Sequence, residues 1–525
     1  MKAEEPKDIL FLGGRVHLLG GRPPAEALLV RAGRVLVTGS EADVRSTAAP
    51  DATVIDLEGG TITPGLTDAH VHLTAWALGR RRVDLSGVAS LDAAVEKVAR
   101  FVPSGNGWLL GRGWNRHLWG ELPTRRPLDQ ISPHAPVLLE SQDIHSAWLN
   151  SEALRRCSID RHTPDPPGGH IVRDADGDPT GLLLESARVL ALRHVPRPDE
   201  AEVLDSLLEA QAEAHRLGIT AVHSVEPTGL ADFERLRARD QLRLRVLQHI
   251  MLEQLDAAMT VGLRSGFGGD WLKIGGVKMF LDGALGSCTA LMREPYESGG
   301  GLGIQTLSSA DFREAARRAA AAGLASTVHA IGDAAVELAL RVLGDEVAPP
   351  ATLPHRIEHL QLCPPDLWEL ACRSGVVASM QSTHLLTDIP AAELHWGTER
   401  SRGAYAFAPL LRGGMTLALG SDVPVETLDP RPGLFAATCR ETWTGPWQGG
   451  EWFPEHSLTN AEAISAYTEG PADAAREGHR RGRLLPGYDA DLAVWNRDPL
   501  TATPQELREM NCTMTVVAGE VVHRA

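Results

Sequence analysis

Cysteine, long apolar runs and positive charge are all scarce in this 525-residue chain. Only six cysteines occur, Cys157, Cys288, Cys363, Cys372, Cys439 and Cys512, and no two stand as C-x-x-C. That density is far below a disulfide scaffold, so reduced thiols and a cytoplasmic location are expected. No run approaches the roughly 18 apolar residues of a membrane span. The opening MKAEEPKDIL lacks the basic and apolar regions of a signal peptide. Lys and Arg total 51 against 68 Asp and Glu, a formal net charge of −17. This balance argues against nucleic acid and against an anionic membrane surface as partners.

Hydrophobic residues make up 43% of the chain and charged residues 23%, an ordinary composition that can bury a sizeable core. At roughly 150 residues per domain the length suggests about three units, or one large barrel with attachments. Tyrosine (4) and phenylalanine (9) are few while tryptophan (12) is in excess. That inversion needs a location to explain it.

Both chain ends read as short alternating strands broken by glycine turns, such as ALLVRAGRVLVTG near the start and MTVVAGEVVHRA at the close. Residues 1–62 and 481–525 are therefore expected to pair into one small β-sandwich. Between them, eight short apolar runs alternate with helical patterns: Thr63–His70, Thr220–Ser224, Arg245–Ile250, Lys273–Phe280, Ala325–Ala330, Arg356–Leu360, Val376–Gln381 and Thr416–Gly420. Helical periodicity marks Ala201–Leu217, Ser309–Ala322, Asp333–Leu343 and Pro365–Ser374. Eight such repeats over residues 63–480 predict an α/β fold, a (β/α)₈ TIM barrel, over an open sheet. Neither G-x-G-x-x-G nor a phosphate-binding loop is present to mark a nucleotide site.

About 150 residues separate the first two strands, too many for a βα loop. Residues 76–198 are expected to form an inserted subdomain over the C-terminal face of the barrel, and an insertion of this size could carry a homodimer contact. Pro424–Pro454, rich in Gly, Pro and Trp, reads as a lid or pocket wall rather than a helix. Nine tryptophans fall in these two regions or beside them, including Trp76, Trp114, Trp148, Trp396 and Trp452. They would either wall a dry substrate pocket, with Trp114 a substrate-binding candidate, or pack an insertion that has its own core.

Asp68-Ala69-His70-Val71-His72 ends the first strand. Residues i and i+2 of a strand share a face, so His70 and His72 can chelate one ion. Alone such a pair is weak evidence. His329 ends the fifth strand, His359 ends the sixth, Asp422 follows the eighth, and Lys278 lies inside the apolar fourth. On a closed barrel all six converge on the C-terminal mouth, where barrel enzymes place their chemistry.

With TPGLTDAHVHL, GGVKMFLDGALGSCTA, VHAIGDAA, RIEHLQ and ALGSDVPV in this order, the chain resembles the amidohydrolase superfamily, and within it the YtcJ-like amidohydrolases. The similarity covers nearly the whole chain. PVLLESQDIHSAWLNSEAL resembles the family's insertion. The resemblance implies that His70 and His72 bind the more buried metal with Asp422, and that His329 and His359 bind a second. It implies further that Lys278 is carboxylated by CO₂ and bridges the two ions. A buried lysine has its pKa lowered, which favours the neutral amine that reacts with CO₂. One or two Zn²⁺ suit the donors, with Mn²⁺, Fe²⁺ or Co²⁺ as alternatives.

By the same resemblance a water made acidic by the metals would attack the scissile carbonyl. Asp422 would carry its proton to the leaving nitrogen, as general base and then acid. His145 stands where the family keeps a histidine, either touching substrate or holding structure. Asp282 either contacts the site and orients ligands or fixes the turn at Gly283. Asp68 reads as structural, while His223 and His249 either line the mouth or are satisfied core histidines. Relatives often read RSRDGH where this chain has residues 140–145, and carry Arg where Cys288 and Leu184 stand. Those departures predict a neutral, apolar-substituted amide as substrate.

The expected activity is hydrolysis of a non-peptide C–N bond in a small linear amide, formamide or carbamate. A cyclic amidase, deaminase or metal-assisted isomerase on the same barrel is one alternative. A non-catalytic binding or assembly protein is another, disfavoured because binding alone has no need of all six residues.

Overall fold

A computed structural model describes residues 8–525 apart from 104, 106, 116–118, 121, 142–145, 167–168, 300, 444, 446 and 449. It divides into two units, residues 1–74 with 207–525, and residues 75–206. The first unit holds an eight-stranded parallel sheet whose strands pair in strict chain order. These are β1 (Leu66–Val71), β2 (Ile219–Ser224), β3 (Arg245–Met251), β4 (Leu272–Phe280), β5 (Ser326–Ala330), β6 (Arg356–His359), β7 (Val377–Met380) and β8 (Leu417–Leu419).

The sheet closes just beyond β8. Asp422 N donates to His70 O at 2.8 Å, His72 N donates to Val423 O at 2.8 Å, and Val71 bridges Val423 in parallel. Closure requires Gly420: a Cβ there would lie 2.5 Å from the backbone nitrogen of His70. Strand β1 is buried along its whole length, as expected where helices cover one face and barrel side chains fill the other.

The outer helices follow from periodic small and apolar residues. Ser309–Ala321 turns Phe312, Ala315, Ala316 and Ala319 inward, and its Ser308 cap accepts from Asp311 N. The eight strands match the eight apolar runs to within a few residues. Pro424–Pro454 differs from expectation, because Pro430–Cys439 is an α-helix within it. Pro430 occupies the first helical position, where its missing N–H is harmless, and the Asp429 carboxylate caps it, so a proline-rich stretch starts the helix rather than breaking it.

Two further sheets join the chain ends to the same unit. One has the strand order Arg34–Gly39, Ala27–Arg31, Ile9–Leu12, Thr53–Asp56. The other runs Arg15–Val16, Thr61–Pro64, Leu492–Trp495, Cys512–Val517, Glu520–Arg524. They share one core in which Phe11, Leu28 and Ile55 of the first meet Ile62, Leu492 and Val516 of the second. Arg245 of β3 anchors to this end of the chain through Asp491, with Nε 2.5 Å from Oδ2.

The second unit contains a six-stranded mixed sheet, order Gly169–Arg173, Pro179–Glu185, Ser146–Leu149, Val137–Ser141, Leu109–Trp114, Val83–Asp84. It has two cores of its own, one around Trp114, Leu128 and Trp148 and one around Leu154, Ile171 and Leu183. Among the described residues, no helix is long and apolar enough to cross a membrane.

Candidate metal centre

The C-terminal ends of the barrel strands enclose a cavity of about 330 Å³. His70, His72, Lys278, His329, His359 and Asp422 all line it, together with His384, Asp388, Phe280 and Leu285. His70, His359 and Asp422 form its tight centre, each offering a ligand atom within 4.8 Å of the others. Nε2 of His70 and Nε2 of His72 lie 3.3 and 3.2 Å from Asp422 Oδ1. His329 packs edge-on against His359, with centroids 4.5 Å apart.

Two of these residues are aimed by unusual backbone. His359 has φ 69° and Asp422 φ 60°, in the left-handed region that L-residues seldom enter. In a regular strand His359 would point away from the face that Glu358 uses. The left-handed turn breaks that alternation, so neighbouring residues both serve the mouth. Strain of roughly 1–3 kcal/mol per position is typical of such residues, and it collects at functional sites.

Sequence reasoning passed over the pair that holds His70. Glu358 Oε2 lies 2.5 Å from His70 Nδ1. Its other oxygen pairs with Arg356 Nε at 2.5 Å, and Arg356 also donates to Ala69 O at 2.6 Å and to His223 Nδ1 at 2.9 Å. Two charges two residues apart on a strand buried at every position were the available signal. Because Nδ1–H of His70 is committed to Glu358, Nε2 faces the cavity with its lone pair, the second-sphere arrangement common in histidine metal sites. His223 and His249 are core residues of this network, the latter accepting at Nδ1 from Gly276 N and Thr327 Oγ1, both at 2.9 Å.

Asp68 and Asp282 act as ties. Asp68 Oδ1 accepts from His70 N at 3.2 Å and Ser421 N at 2.9 Å, linking the ends of β1 and β8. Asp282, expected to contact the site and orient ligands or to fix the turn at Gly283, is buried, accepts from the backbone N–H groups of Leu291 (2.9 Å), Ile331 (3.1 Å) and Gly332 (2.8 Å), and has Oδ1 3.5 Å from His329 Nε2. It locks the β4 loop to the end of β5 while His329 Nε2 donates to Gly283 O at 3.0 Å. Trp114 is likewise a packing residue, 1% exposed, stacked on Trp119 and donating to Leu139 O at 2.7 Å. His145 lies outside the described residues. Cys288 stands 3.3 Å from His395 Nδ1.

The electrostatics of the site are dominated by burial. Desolvation, with the nearby Lys278 ammonium, lowers the pKa of His70 and brings His329 down to about 3, so both rings are neutral lone-pair donors at pH 7. Burial likewise brings the Lys278 amine down to about 8, against the pull of the Glu358 and Asp422 carboxylates. No hydrogen bond or ion pair from the described residues reaches its Nζ, which sits 4.9 Å from the Phe280 ring centroid. Burial would raise Asp422, but the surrounding imidazoles, led by His70, hold it well below the usual carboxylate range.

These residues fit a cation. His359 Nδ1 and Asp422 Oδ1 are buried with no hydrogen-bond partner among the described residues, and each such atom costs roughly 1–3 kcal/mol if left unpaired. Ligand atoms about 2.1 Å from one tetrahedral ion stand about 3.4 Å apart, close to the 3.2 and 3.3 Å spacings at Asp422. Neutral imidazoles and an ionised carboxylate are the donors that Zn²⁺ and related ions prefer.

Comparison with known proteins agrees. The sequence pattern described as the amidohydrolase family matches residues 53–523. The putative amidohydrolase YtcJ of Bacillus subtilis (strain 168) is 33% identical over 98% of this chain and 99% of its own length. The N-substituted formamide deformylase of Arthrobacter pascens is 29% identical over 98% of each chain. Among solved structures, an uncharacterised metal-dependent hydrolase from Pyrococcus horikoshii OT3 superposes with a TM-score of 0.81 and 26% identity, covering 95% of this chain and 99% of that one.

Proposed function

The chain belongs to the amidohydrolase family, as a metal-dependent hydrolase of that superfamily, and from that premise we propose that it cleaves a non-peptide C–N bond in a small neutral amide, formamide or carbamate. One observation carries the reading. Six potential ligands line a single cavity, and buried atoms of two of them, His359 and Asp422, have no partner among the described residues. The formamide-cleaving relative, similar along nearly its whole length, supports the substrate class.

In this reading His70, His359 and Asp422 hold a metal, with His72 and His329 beside them and Lys278, carboxylated, between. Bound there, the metal supplies Lewis acidity toward a carbonyl and acidifies water near neutral pH, and Zn²⁺ is the ion the donor set favours. The protein's own part is positional. Glu358 fixes the ring of His70, and Asp282 fixes the loop against which His329 is held. Asp422 has Oδ1 turned to His70 and His72, while Oδ2 faces His384 at 3.7 Å. Oδ2 is therefore the atom placed to accept a proton from attacking water and return it to the departing nitrogen. The apolar side chains of Phe280, Leu285 and Ile331 restrict water on the remaining wall.

Metal analysis of purified protein together with a panel of amides, formamides and carbamates tests the proposal. At least one zinc-class ion per chain is expected, with hydrolysis that chelation abolishes and metal restores. Substoichiometric metal, with turnover indifferent to chelation, would overturn it.

A further inference from the structure

After β7 the chain makes a short 3₁₀ turn, Ser382–His384, and enters the helix Leu385–His395. His384 and Asp388 are four residues apart on this segment, so they share a face, and both line the cavity that holds the metal ligands. Asp388 is fixed with care. Its Oδ2 accepts from the Tyr405 hydroxyl at 2.6 Å and from the Gln361 side-chain amide at 2.8 Å. Tyr405 is itself immobilised: its N–H donates to Gln361 O at 2.8 Å, and its carbonyl accepts from the buried Arg440 guanidinium at 2.8 Å. Both donors engage one oxygen. Oδ1 of Asp388 has no hydrogen-bond partner among the described residues.

A carboxylate steered by two donors, with its second oxygen left over beside a reaction cavity, is an acceptor waiting for an N–H. Phe280, Leu285, Ile331 and Val425 give this cavity apolar lining, and, among the described residues, the one further carboxyl that interacts with both His384 and Asp388, Glu426, does not line it and accepts from the Thr387 hydroxyl at 3.2 Å. His384 Nε2 is buried and unpartnered, and 3.7 Å from Asp422 Oδ2 is too long for a hydrogen bond, so it too requires a polar atom from a bound molecule. An amide brings two polar atoms to such a site, a carbonyl oxygen and, when the nitrogen is singly substituted, one N–H. The carbonyl belongs with the metal ligands.

Resting on the reading of this site as an amide hydrolase, we propose that Asp388 Oδ1 accepts the N–H of the scissile amide, with His384 as a second polar contact beside it. The enzyme then selects N-monosubstituted amides over N,N-disubstituted ones. Asp388 is specificity-determining, and Tyr405 and Gln361 are positioning residues. A site built to accept a substrate N–H disfavours an analogue lacking it, because the half-buried acceptor then gives up its water for no partner.

The test compares N-butylformamide with N-butyl-N-methylformamide in metal-loaded wild type, Asp388→Asn and Tyr405→Phe. Wild type should favour the first in kcat/KM by about 10- to 100-fold, the range for a hydrogen bond to a charged group. In Asp388→Asn the Tyr405 and Gln361 donors capture the new carbonyl, which turns its NH₂ toward the cavity against the substrate N–H. The monosubstituted formamide should lose about 100-fold and its N-methyl analogue only a few-fold, so the preference collapses, with KM carrying much of the change. Tyr405→Phe, which keeps the carboxylate but frees it, should reduce the preference partway. An unchanged ratio in Asp388→Asn, or equal loss on both substrates, overturns the inference and leaves the proposed function standing. No hydrolysis of either formamide, or of the wider amide panel, by metal-loaded wild type overturns the proposed function itself and the inference with it.

Discussion

Oε2 of Glu358 and Nδ1 of His70 stand 2.5 Å apart in the barrel interior, where neither side chain is more than 1% exposed. That contact settles which nitrogen of His70 faces the cavity. Replacing Glu358 by Gln keeps the shape and removes the charge, so metal affinity should fall about 10- to 100-fold. Arg356 would lose its buried counter-charge, which should cost roughly 3–5 kcal/mol of stability. Competition with a chelator reads the first effect and denaturant unfolding the second. Unaltered metal affinity would show that Glu358 serves the fold alone.

Lys278 makes a second prediction. With the amine at about 8 rather than its ordinary 10.5, about a tenth is neutral at pH 7, against fewer than about one in a thousand for an exposed lysine. The neutral amine adds to CO₂, forming an N–C bond and releasing a proton. Activation by metal at a fixed concentration of dissolved ¹³CO₂ should therefore slow about tenfold per pH unit below 7. A carbamate ¹³C signal should appear in wild type and vanish in Lys278→Ala. The same signal in the variant would remove Lys278 from the metal assignment.

His355 predicts an acid limit to stability away from the metal. Its Nδ1 accepts from Ser326 N at 2.9 Å and Nε2 donates to Val347 O at 3.2 Å, an arrangement only the neutral ring can make. Burial brings its pKa down to about 4, below the ordinary 6.5 of an unfolded chain. Between those values the unfolded state binds the extra proton, so stability is full above pH 6.5 and is lost as pH falls toward 4. The loss attributable to this ring is on the order of 3 kcal/mol. Denaturant unfolding from pH 7 to 4.5 should show that slope, and His355→Gln should flatten it from a lower starting stability.

Trp114 should matter for stability rather than for substrate. Trp114→Ala opens a cavity among Trp119, Leu139 and Trp148 and should cost roughly 3–5 kcal/mol in the unit of residues 75–206. Limited proteolysis and unfolding curves would report it. A rise in KM at unchanged stability would return Trp114 to the substrate site.

Some of this was written in the sequence itself. Strand periodicity, strand count and the placing of His70, His329, His359 and Asp422 at strand ends are local properties, because a strand's burial pattern and length are set by its own residues. The barrel, and the arrival of six functional groups at one mouth, follow from eight such strands closing in order. The helix at Pro430–Cys439 is not legible in Gly, Pro and Trp content, because proline suits the first position of a helix and disrupts later ones, and composition does not say which position it takes.

Only the tertiary structure decided the rest. That Glu358 meets His70 across 288 residues, that Asp282 accepts three backbone N–H groups, and that Trp114 faces a core depend on which distant atoms are brought into contact. The left-handed turns at His359 and Asp422 could not be read from residue type either, since neither is glycine. Hydrogen bonding and desolvation act over a few ångströms in space and are blind to separation along the chain. The sequence therefore fixes which groups are available and on which strands, and packing alone decides which nitrogen, which oxygen and which charge state each presents.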